Sequence, residues 1–242
     1  MKIFCCHTKS HERLLTDYFK PSLPPDLELH AIPREGDGTG DFRSDQWIKC
    51  LHNKIDMVVG TIRDHCGEII IWSDIDILFF RPVAKELEAL IQASGKEILF
   101  QRERNGIPDI NGGFYVLRAN EKTLAFFEQV RAGLAANPDV DDQFIINTLL
   151  RACPNFAWGY LPFSYYARTH GWPPPRDLAI FHANGIMGKN SIELNISQFK
   201  EILWIRKYGR LALLLSCVAK IPKRCKRVWA ERLSRHACKN AA

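Results

Sequence analysis

Two carboxylates stand two residues apart in the middle of the chain, directly after an apolar run. Asp74 and Asp76 follow residues 68–72, a β-branched segment without alternation that is typical of a strand buried on both faces. Open α/β sheets place their ligands at the carboxyl ends of strands, and on an extended chain the two side chains share one face. Two like charges this close favour a cation between them, and oxygen ligands suit Mg²⁺ or Mn²⁺. The alternative is a solvated loop, because this spacing also arises by chance.

A lysine on the apolar face of a long helix is the second candidate. Residues 43–63 carry apolar side chains at helical spacing, among them Trp47 and Val58. Lys54 follows Trp47 by two helical turns and therefore lies on the same face. A lysine there either extends its charged end to water or meets an anion, which would be a phosphate or one of the two carboxylates. The sequence leaves both interpretations open.

A polar segment with paired glycines is the third candidate. Residues 109–114 contain Asn111, Gly112 and Gly113 ahead of an apolar run. We predict a loop that enters a strand, in which glycine allows the backbone to approach a ligand closely. An ordinary turn is the alternative.

An acidic pair before a helix and a histidine after a short strand complete the candidates. Asp141 is predicted to cap the helix over residues 143–151, which leaves Asp142 and Gln143 free for other work. A lone histidine such as His182 is usually structural. With Lys189 shortly after it, however, it can act as a third metal ligand beside phosphates that the lysine would meet.

The elements that must position these residues alternate between short β-rich runs and helical stretches, which predicts an α/β sheet. A flexible loop is predicted over residues 36–40. We predict strands over residues 2–6, 28–32, 68–72, 97–101, 114–118, 157–161 and 179–182, and helices over 11–19 (ending at Pro21), 43–63, 121–134 and 143–151.

Charge is unevenly distributed along the chain. The formal net charge is +6, but residues 201–242 carry 11 Lys and Arg against 2 Glu, which is +9 and leaves −3 for residues 1–200. We therefore predict one domain over residues 1–197 and a basic amphipathic tail over 198–242, with helices over 198–207 and 223–236 separated by an apolar stretch and Pro222. Such a tail suits an anionic membrane surface, and a solvated or self-packing helix pair is the alternative.

The eight cysteines form no framework, and no C-x-x-C pair is present, so neither a zinc ribbon nor a redox motif is expected. The apolar run at the start of the chain is too short for a signal peptide. The longest apolar stretch, residues 211–218, is far below the roughly 20 residues of a membrane span. We expect a cytoplasmic protein with free thiols; peripheral attachment to the inner face of a membrane stays open.

Taken together and in this order, the motifs resemble those of the GT-A nucleotide-diphospho-sugar glycosyltransferases. The resemblance is to the retaining branch that includes glycogenin-like and lipopolysaccharide galactosyltransferase-like enzymes, and it spans roughly residues 1–195. It implies a GT-A (Rossmann-like) α/β fold, which is a mixed, mostly parallel sheet flanked by helices. The basic helical tail would be a C-terminal extension of that fold.

The resemblance also implies a role for each motif. Asp74, Asp76 and His182 would bind Mn²⁺ or Mg²⁺ on the pyrophosphate of the donor. Asp142 and Gln143 would be the catalytic pair beside the reacting carbon of the sugar, with retention of its anomeric configuration. Further donor-binding roles, from the nucleoside end to the sugar and the leaving phosphates, fall to Thr8, Lys54, Asp74, Asn111, Gly112, Gly113, Gly185 and Lys189.

The function implied is a hexosyl-type glycosyltransferase that takes a nucleotide-sugar, with UDP-sugars as the family default, and acts on a glycan or lipid-linked acceptor. The rival enzyme is a Mg²⁺-dependent haloacid dehalogenase-like phosphohydrolase, which also uses a D-x-D motif after an apolar strand. Leu78, where that class usually has Thr or Val, weighs against it. A non-enzymatic basic membrane-surface module is the other alternative, and no nucleic-acid partner is expected.

Overall fold

The structure is a computed structural model that describes residues 1–34, 45–104, 106–170, 173–185 and 190–239, with the backbone alone at 45–51, 210, 217 and 219–239. The loop predicted at 36–40, the predicted helix start at 43 and Lys189 lie outside the described residues. So do the side chains of Trp47 and of the helix predicted over 223–236. The chain divides into two compact units, Met1–Ser197 and Gln198–Ala242.

A six-stranded mixed sheet forms the centre of the first unit, in the order β2-β1-β3-β6-β5-β7. Its β1–β2, β1–β3 and β5–β7 pairs are parallel, and only β6 runs antiparallel to its neighbours. The predicted α/β class with a mostly parallel sheet is therefore confirmed. The strands are β1 (Lys2–Thr8), β2 (Glu28–Arg34), β3 (Ile69–Ser73), β4 (Ile77–Phe79), β5 (Ile98–Arg102), β6 (Ile110–Arg118), β7 (Trp158–Tyr160), β8 (Tyr165–Ala167) and β9 (Ile180–His182).

A small three-stranded sheet, in the order β4-β9-β8, accompanies the central one. The strands β4 and β9 pair antiparallel, and β8 and β9 pair parallel. Only residues 74–76 separate β3 of the central sheet from β4 of the small sheet. The D-x-D motif is thus the link between the two sheets.

Helices flank the central sheet and share its core. They are α1 (Glu12–Leu14), α2 (Lys20–Ser22), α3 (Asp45–Asp64), α4 (Ala84–Ser94), α5 (Glu121–Ala136), α6 (Asp142–Ala152) and α7 (Ser191–Lys239). Trp72 of β3 and Tyr115 of β6 are buried in one apolar cluster with Val58 of α3, Phe127 of α5 and Ile146 of α6. The apolar helical faces that the sequence shows are therefore the faces buried here.

Two helix boundaries differ from the prediction. The first helical stretch does not end at Pro21 but continues to Ser22, and α2 directly follows a π-helical segment, Leu15–Phe19, in which the N–H of Lys20 donates to the carbonyl oxygen of Leu15. In the tail, α7 continues through the predicted break at Pro222. The non-helical residue is instead Gly209 (φ 63°, ψ −140°), in a backbone region that essentially only glycine adopts.

Within the described residues, none of the helices combines the length and the apolar character needed to cross a bilayer. The helix α4 and the strands β4 and β8 were not predicted from the sequence, and they add to the predicted elements without changing the fold class.

Candidate active site

The two carboxylates and the histidine converge because the D-x-D motif is bonded to both sheets. The amide N–H of Asp74 donates to the carbonyl oxygen of Gly113 in β6 (2.6 Å), and the carbonyl oxygen of Asp76 accepts from the N–H of Ala183 after β9 (2.9 Å). Pairing of β4 with β9 then brings Nε2 of His182 to 3.2 Å from Oδ1 of Asp76. One ligand atom from each of Asp74, Asp76 and His182, called here the triad, lies within 4.8 Å of the other two.

A bulge in β6 opens the space in front of the triad. Phe100 of β5 pairs with Tyr115, but the next residue, Gln101, pairs with Asn111, so residues 112–114 have no β5 partner. A Cβ at Gly113 would lie 2.3 Å from Cε1 of His182 and 2.8 Å from Oδ2 of Asp74. Glycine is therefore required there by space. The loop predicted for Asn111, Gly112 and Gly113 is wrong: all three belong to β6, and the bulge supplies the close backbone approach that the glycines suggested.

Lys54 meets carboxylates rather than water. Its side chain is 7% exposed, and its Nζ lies 2.9 Å from Oδ1 of Asp74 and 3.1 Å from Oδ2 of Asp142. The same Nζ donates to the carbonyl oxygen of Gly112 at 3.1 Å. Burial acts against the charge, but Asp142 and Asp74 together hold the pKa of Lys54 well above its usual value. One cation thus ties the D-x-D motif to the start of α6.

The centre carries more negative than positive charge. Burial raises the pKa of Asp74, although Lys54 opposes this effect. Burial alone would lower the pKa of His182, but the facing carboxylates of Asp76 and Asp74 raise it above its usual value. Among the described residues that line the site, Lys54 is the one lysine that the carboxylates of Asp74, Asp76 and Asp142 face, and a divalent cation would balance that excess.

The N-terminus of α6 lies against the β6 bulge. Asp141 caps the helix, and its Oδ1 accepts from the N–H of Phe144 at 2.7 Å. Gln143 accepts through Oε1 from the N–H of Gly112 at 3.1 Å. Asn147 clamps the two elements together, since it accepts from the N–H of Ile110 (2.9 Å) and donates to the carbonyl oxygen of Gln143 (2.9 Å). Asp142 and Gln143 are therefore held by the sheet as well as by their helix.

A cleft of about 460 Å³ lies over this cluster. Thr8, at the end of β1, faces it with Oγ1 2.8 Å from Nδ1 of His11, and Gly185 has a positive φ of 73°. The structure brings together every predicted site residue that it describes, since the cleft is lined by Thr8, Lys54, Asp74, Asp76, Asn111, Gly112, Gly113, Asp142, Gln143, His182 and Gly185. Lys189 is the predicted residue that lies outside the described part of the chain.

Sequence reasoning missed several polar residues at this centre. Gln101 is fully buried, with Oε1 2.7 Å from Nδ1 of His182. Asn195, in the first turns of α7, donates from Nδ2 to Oδ2 of Asp76 at 3.4 Å. Glu103 accepts from Nδ2 of Asn111 at 2.6 Å. Only Gln101 left a signal, as a polar residue directly after the apolar residues 98–100; the other two are brought near by the tertiary fold.

The site and its scaffold match a known family. A sequence profile described as nucleotide-diphospho-sugar transferase matches residues 30–191, about two thirds of the chain. The chain belongs to this family. No curated protein sequence matches it at a significant level.

Solved structures show that this family member has the GT-A glycosyltransferase fold. A glycosyltransferase involved in glycosylation of the major capsid of PBCV-1 is 10% identical, with 82% of this chain and 98% of that chain covered and a TM-score of 0.57. The apo form of the glycosyltransferase GlyE of Streptococcus pneumoniae TIGR4 is 11% identical, with 81% and 59% covered and a TM-score of 0.54. An active-site mutant of LgtC is 12% identical, with 83% and 95% covered and a TM-score of 0.52. This chain therefore spans little more than half of the GlyE chain.

The triad fits the divalent cation that GT-A folds generally use. Two carboxylates and one imidazole are a suitable donor set, their ligand atoms lie within 4.8 Å of one another, and the missing side chain at Gly113 leaves the space beside Asp74 and His182 clear. The excess of negative charge favours the same occupant.

Proposed function

We propose that this protein is a hexosyl-type glycosyltransferase that moves a sugar from a nucleotide-diphospho-sugar, with UDP-sugars as the first donors to test, to a glycan or lipid-linked acceptor. The observation that carries the proposal is the triad on the wall of the cleft, with ligand atoms within 4.8 Å of one another and the Lys54 ion pairs beside them. Family membership and fold support transfer from a nucleotide-sugar over the haloacid dehalogenase-like alternative.

In this proposal Asp74, Asp76 and His182 hold Mn²⁺ or Mg²⁺. When bound, the cation would stabilise the negative charge that develops on the leaving nucleoside diphosphate. By resemblance, Lys189 would meet the same phosphates. By resemblance, Thr8 at the end of β1 would lie near the nucleoside.

The buried acids and amides of α6 act on the sugar in this proposal. Lys54 fixes the carboxylate of Asp142 beside the β6 bulge, and Gln143 is fixed by the N–H of Gly112. A carboxylate and an amide held on one side of the sugar can stabilise an oxocarbenium-like transition state. We infer retention of anomeric configuration, with Asn111, Gly112, Gly113 and Gly185 lining the path of the donor.

A donor panel tests the proposal. The wild type, incubated with UDP-, GDP- and ADP-sugars in Mn²⁺ or Mg²⁺, should release nucleoside diphosphate from one donor, and EDTA should abolish that release. Asp76→Ala should be inactive, whereas Asp139→Ala, which alters an exposed turn residue, should match the wild type. Phosphate release from simple phosphoesters, without turnover of any nucleotide-sugar, would reverse the assignment in favour of a phosphohydrolase.

The stereochemical part of the proposal has its own readout. The anomeric proton coupling constant of the product, measured by NMR, should match the configuration of the donor. An inverted product would remove the roles given to Asp142 and Gln143 while leaving the transferase intact.

We further propose that residues 1–197 are the transferase domain and that the tail docks a cytoplasmic enzyme on the inner, anionic face of a membrane. Large apolar side chains are exposed along α7, including Trp204 and Tyr208 before Gly209 and Leu211, Leu215 and Val218 after it. Apolar side chains beside a strongly basic sequence suit anionic lipid.

Flotation with vesicles tests the membrane proposal. The full chain should float with vesicles that contain anionic lipid and not with neutral ones, and the double variant Leu211→Ser, Leu215→Ser should bind more weakly with its nucleotide-sugar turnover intact. Equal binding to neutral and anionic vesicles would contradict it. Vesicle binding by a chain that turns over no nucleotide-sugar would favour the non-enzymatic membrane module.

A further inference from the structure

We propose that Gln101 is a positioning residue for the metal centre: its amide holds the imidazole of His182 in the tautomer whose Nε2 lone pair faces the D-x-D carboxylates. The inference rests on the proposed function, because it assumes that the triad binds a divalent cation.

The amide of Gln101 is held at both ends. The side chain is fully buried in β5, where a primary amide is costly unless its groups are hydrogen-bonded. Its Nε2 donates to the carbonyl oxygen of Tyr165 at 3.2 Å, and its Oε1 lies 2.7 Å from Nδ1 of His182. A flipped amide would set its oxygen against the Tyr165 carbonyl oxygen, which is a contact between two acceptors. Tyr165 therefore fixes which end of the amide faces His182.

The fixed amide determines where His182 carries its proton. Because Oε1 of Gln101 can only accept, Nδ1 of His182 must donate, and the neutral ring then keeps its lone pair on Nε2. That nitrogen lies 3.2 Å from Oδ1 of Asp76. Without a cation between them, the lone pair and the carboxylate repel each other. A cation placed between them attracts both. The buried amide thus directs the ligand atom of His182 towards the D-x-D motif.

An amide suits this position better than a carboxylate does. Metal-binding histidines commonly donate their second N–H to a carboxylate or a carbonyl group, which fixes the ring and its tautomer. This centre already contains Asp74, Asp76 and Asp142 against Lys54. A neutral acceptor behind His182 orients the ring without adding a fourth buried negative charge.

A purely structural role for Gln101 is the competing explanation, because its bond to Tyr165 also joins β5 to the small sheet. The two roles differ in their effect on the metal. A structural role predicts lower thermal stability with unchanged metal affinity, whereas a positioning role predicts weaker metal binding that another acceptor restores.

The test measures Mn²⁺ binding to the purified full chain without donor, by electron paramagnetic resonance of free Mn²⁺, with a thermal melt for each variant. Gln101→Leu, which has no acceptor, should bind Mn²⁺ about 10–100-fold more weakly. Gln101→Glu keeps an acceptor towards Nδ1 but places a second acceptor against the carbonyl oxygen of Tyr165, so it should melt earlier and still bind Mn²⁺ within a few-fold of the wild type. Thr123→Val in α5 is the control: it removes a buried hydroxyl that donates to the carbonyl oxygen of Arg118 at the end of β6, and it should lower the melting temperature at unchanged Mn²⁺ affinity.

Each outcome bears on a different claim. Wild-type affinity in Gln101→Leu, or equal loss in Gln101→Leu and Gln101→Glu, would overturn the inference and leave the proposed function standing. A wild type that binds neither Mn²⁺ nor Mg²⁺ would overturn the proposed function and this inference with it. Should Gln101→Leu fail to fold, Gln101→Met, which keeps the length of the side chain but has no amide, takes its place: weaker Mn²⁺ binding supports the inference, and wild-type affinity refutes it.

Discussion

Adding one methyl group to Gly113 tests whether the metal centre depends on the bulge in β6. The Cβ of Gly113→Ala would lie 2.3 Å from Cε1 of His182, whereas ordinary contacts begin at 3.4 Å, so the ring must move by about 1.1 Å. The same methyl group would lie 2.8 Å from Oδ2 of Asp74, so two of the three ligands are displaced together. A misplacement of about 1 Å in a catalytic centre can cost about 100-fold in rate, which corresponds to about 2.7 kcal/mol. We expect Mn²⁺ affinity and kcat/KM to fall by about this factor or more.

Gly112→Ala is a matched control on the neighbouring residue. Its Cβ would meet its closest neighbour, Cβ of Gln143, at 3.6 Å, which is an ordinary contact. Neither Gly112 nor Gly113 is among the residues with positive φ, so alanine is compatible with the backbone at both positions. The two variants therefore differ only in what the added methyl group meets, and Gly112→Ala should keep the Mn²⁺ affinity of the wild type.

The assay compares Mn²⁺ dissociation constants and melting temperatures for the wild type and both variants. Overpacking costs about 1–3 kcal/mol, so Gly113→Ala should also melt earlier, and folding is checked at the assay temperature. A folded Gly113→Ala protein that binds Mn²⁺ as tightly as Gly112→Ala does would refute the reasoning, because the triad would then tolerate a group in the space assigned to the cation.

Three further predictions concern the surroundings of the centre. Lys54→Met leaves Asp74 and Asp142 without their buried partner and should cost about 3–5 kcal/mol in urea unfolding. Arg13→Met, which loses exposed pairs with Asp17 and Glu193, should cost less than about 1 kcal/mol, and similar losses in the two variants would contradict this. Asn147→Ala leaves the N–H of Ile110 unpaired and should lower the free energy of unfolding by about 1–3 kcal/mol. An unchanged free energy of unfolding in the same assay would show that the hydrogen bonds of Asn147 do not stabilise the contact between α6 and β6. Burial raises the pKa of the Cys5 thiol to about 12, so Cys5 should react slowly with iodoacetamide at pH 8. Peptide mass spectra should show alkylation of the exposed Cys66 and not of Cys5. Early modification of Cys5 would contradict its burial.

The long central strands and the helices could be predicted because each carries its own periodicity. The apolar run before Asp74 and the apolar residues at helical spacing around Val58 are local patterns. The strand β3 and the helix α3 accordingly lie close to their predicted bounds. The strands β4 and β8 could not be predicted, since each has three residues and β4 is stabilised by pairing with β9 about a hundred residues later. The three-residue strands β7 and β9 were nevertheless predicted and the eleven-residue α4 was not, so length alone did not decide which elements could be predicted.

The sequence predicts those site residues whose chemical types and order form a motif. It does not predict contacts that depend on how the elements pack in the tertiary fold. Glycines at 112 and 113 suggest close backbone approach, but the sequence does not distinguish a loop from a bulged strand, which depends on the register with β5. Asn195 approaches Asp76 from α7, and nothing near it in the sequence indicates that contact. In the tail, Pro222 looked like the natural break, yet Gly209 has the non-helical backbone.

The D-x-D motif connects the two sheets, so the proposed metal centre forms only when the sheets dock. Asp74 is fixed to the central sheet by Gly113 and Lys54, whereas Asp76 and His182 belong to the small sheet, through Ala183 and the β4–β9 pair. The central sheet alone would therefore keep Asp74 in place and lose the other two ligands. It follows that a cation bound by all three residues would join the sheets. Occupancy of the centre and docking of the small sheet must then stabilise each other, because a ligand that binds only the docked arrangement favours it by mass action.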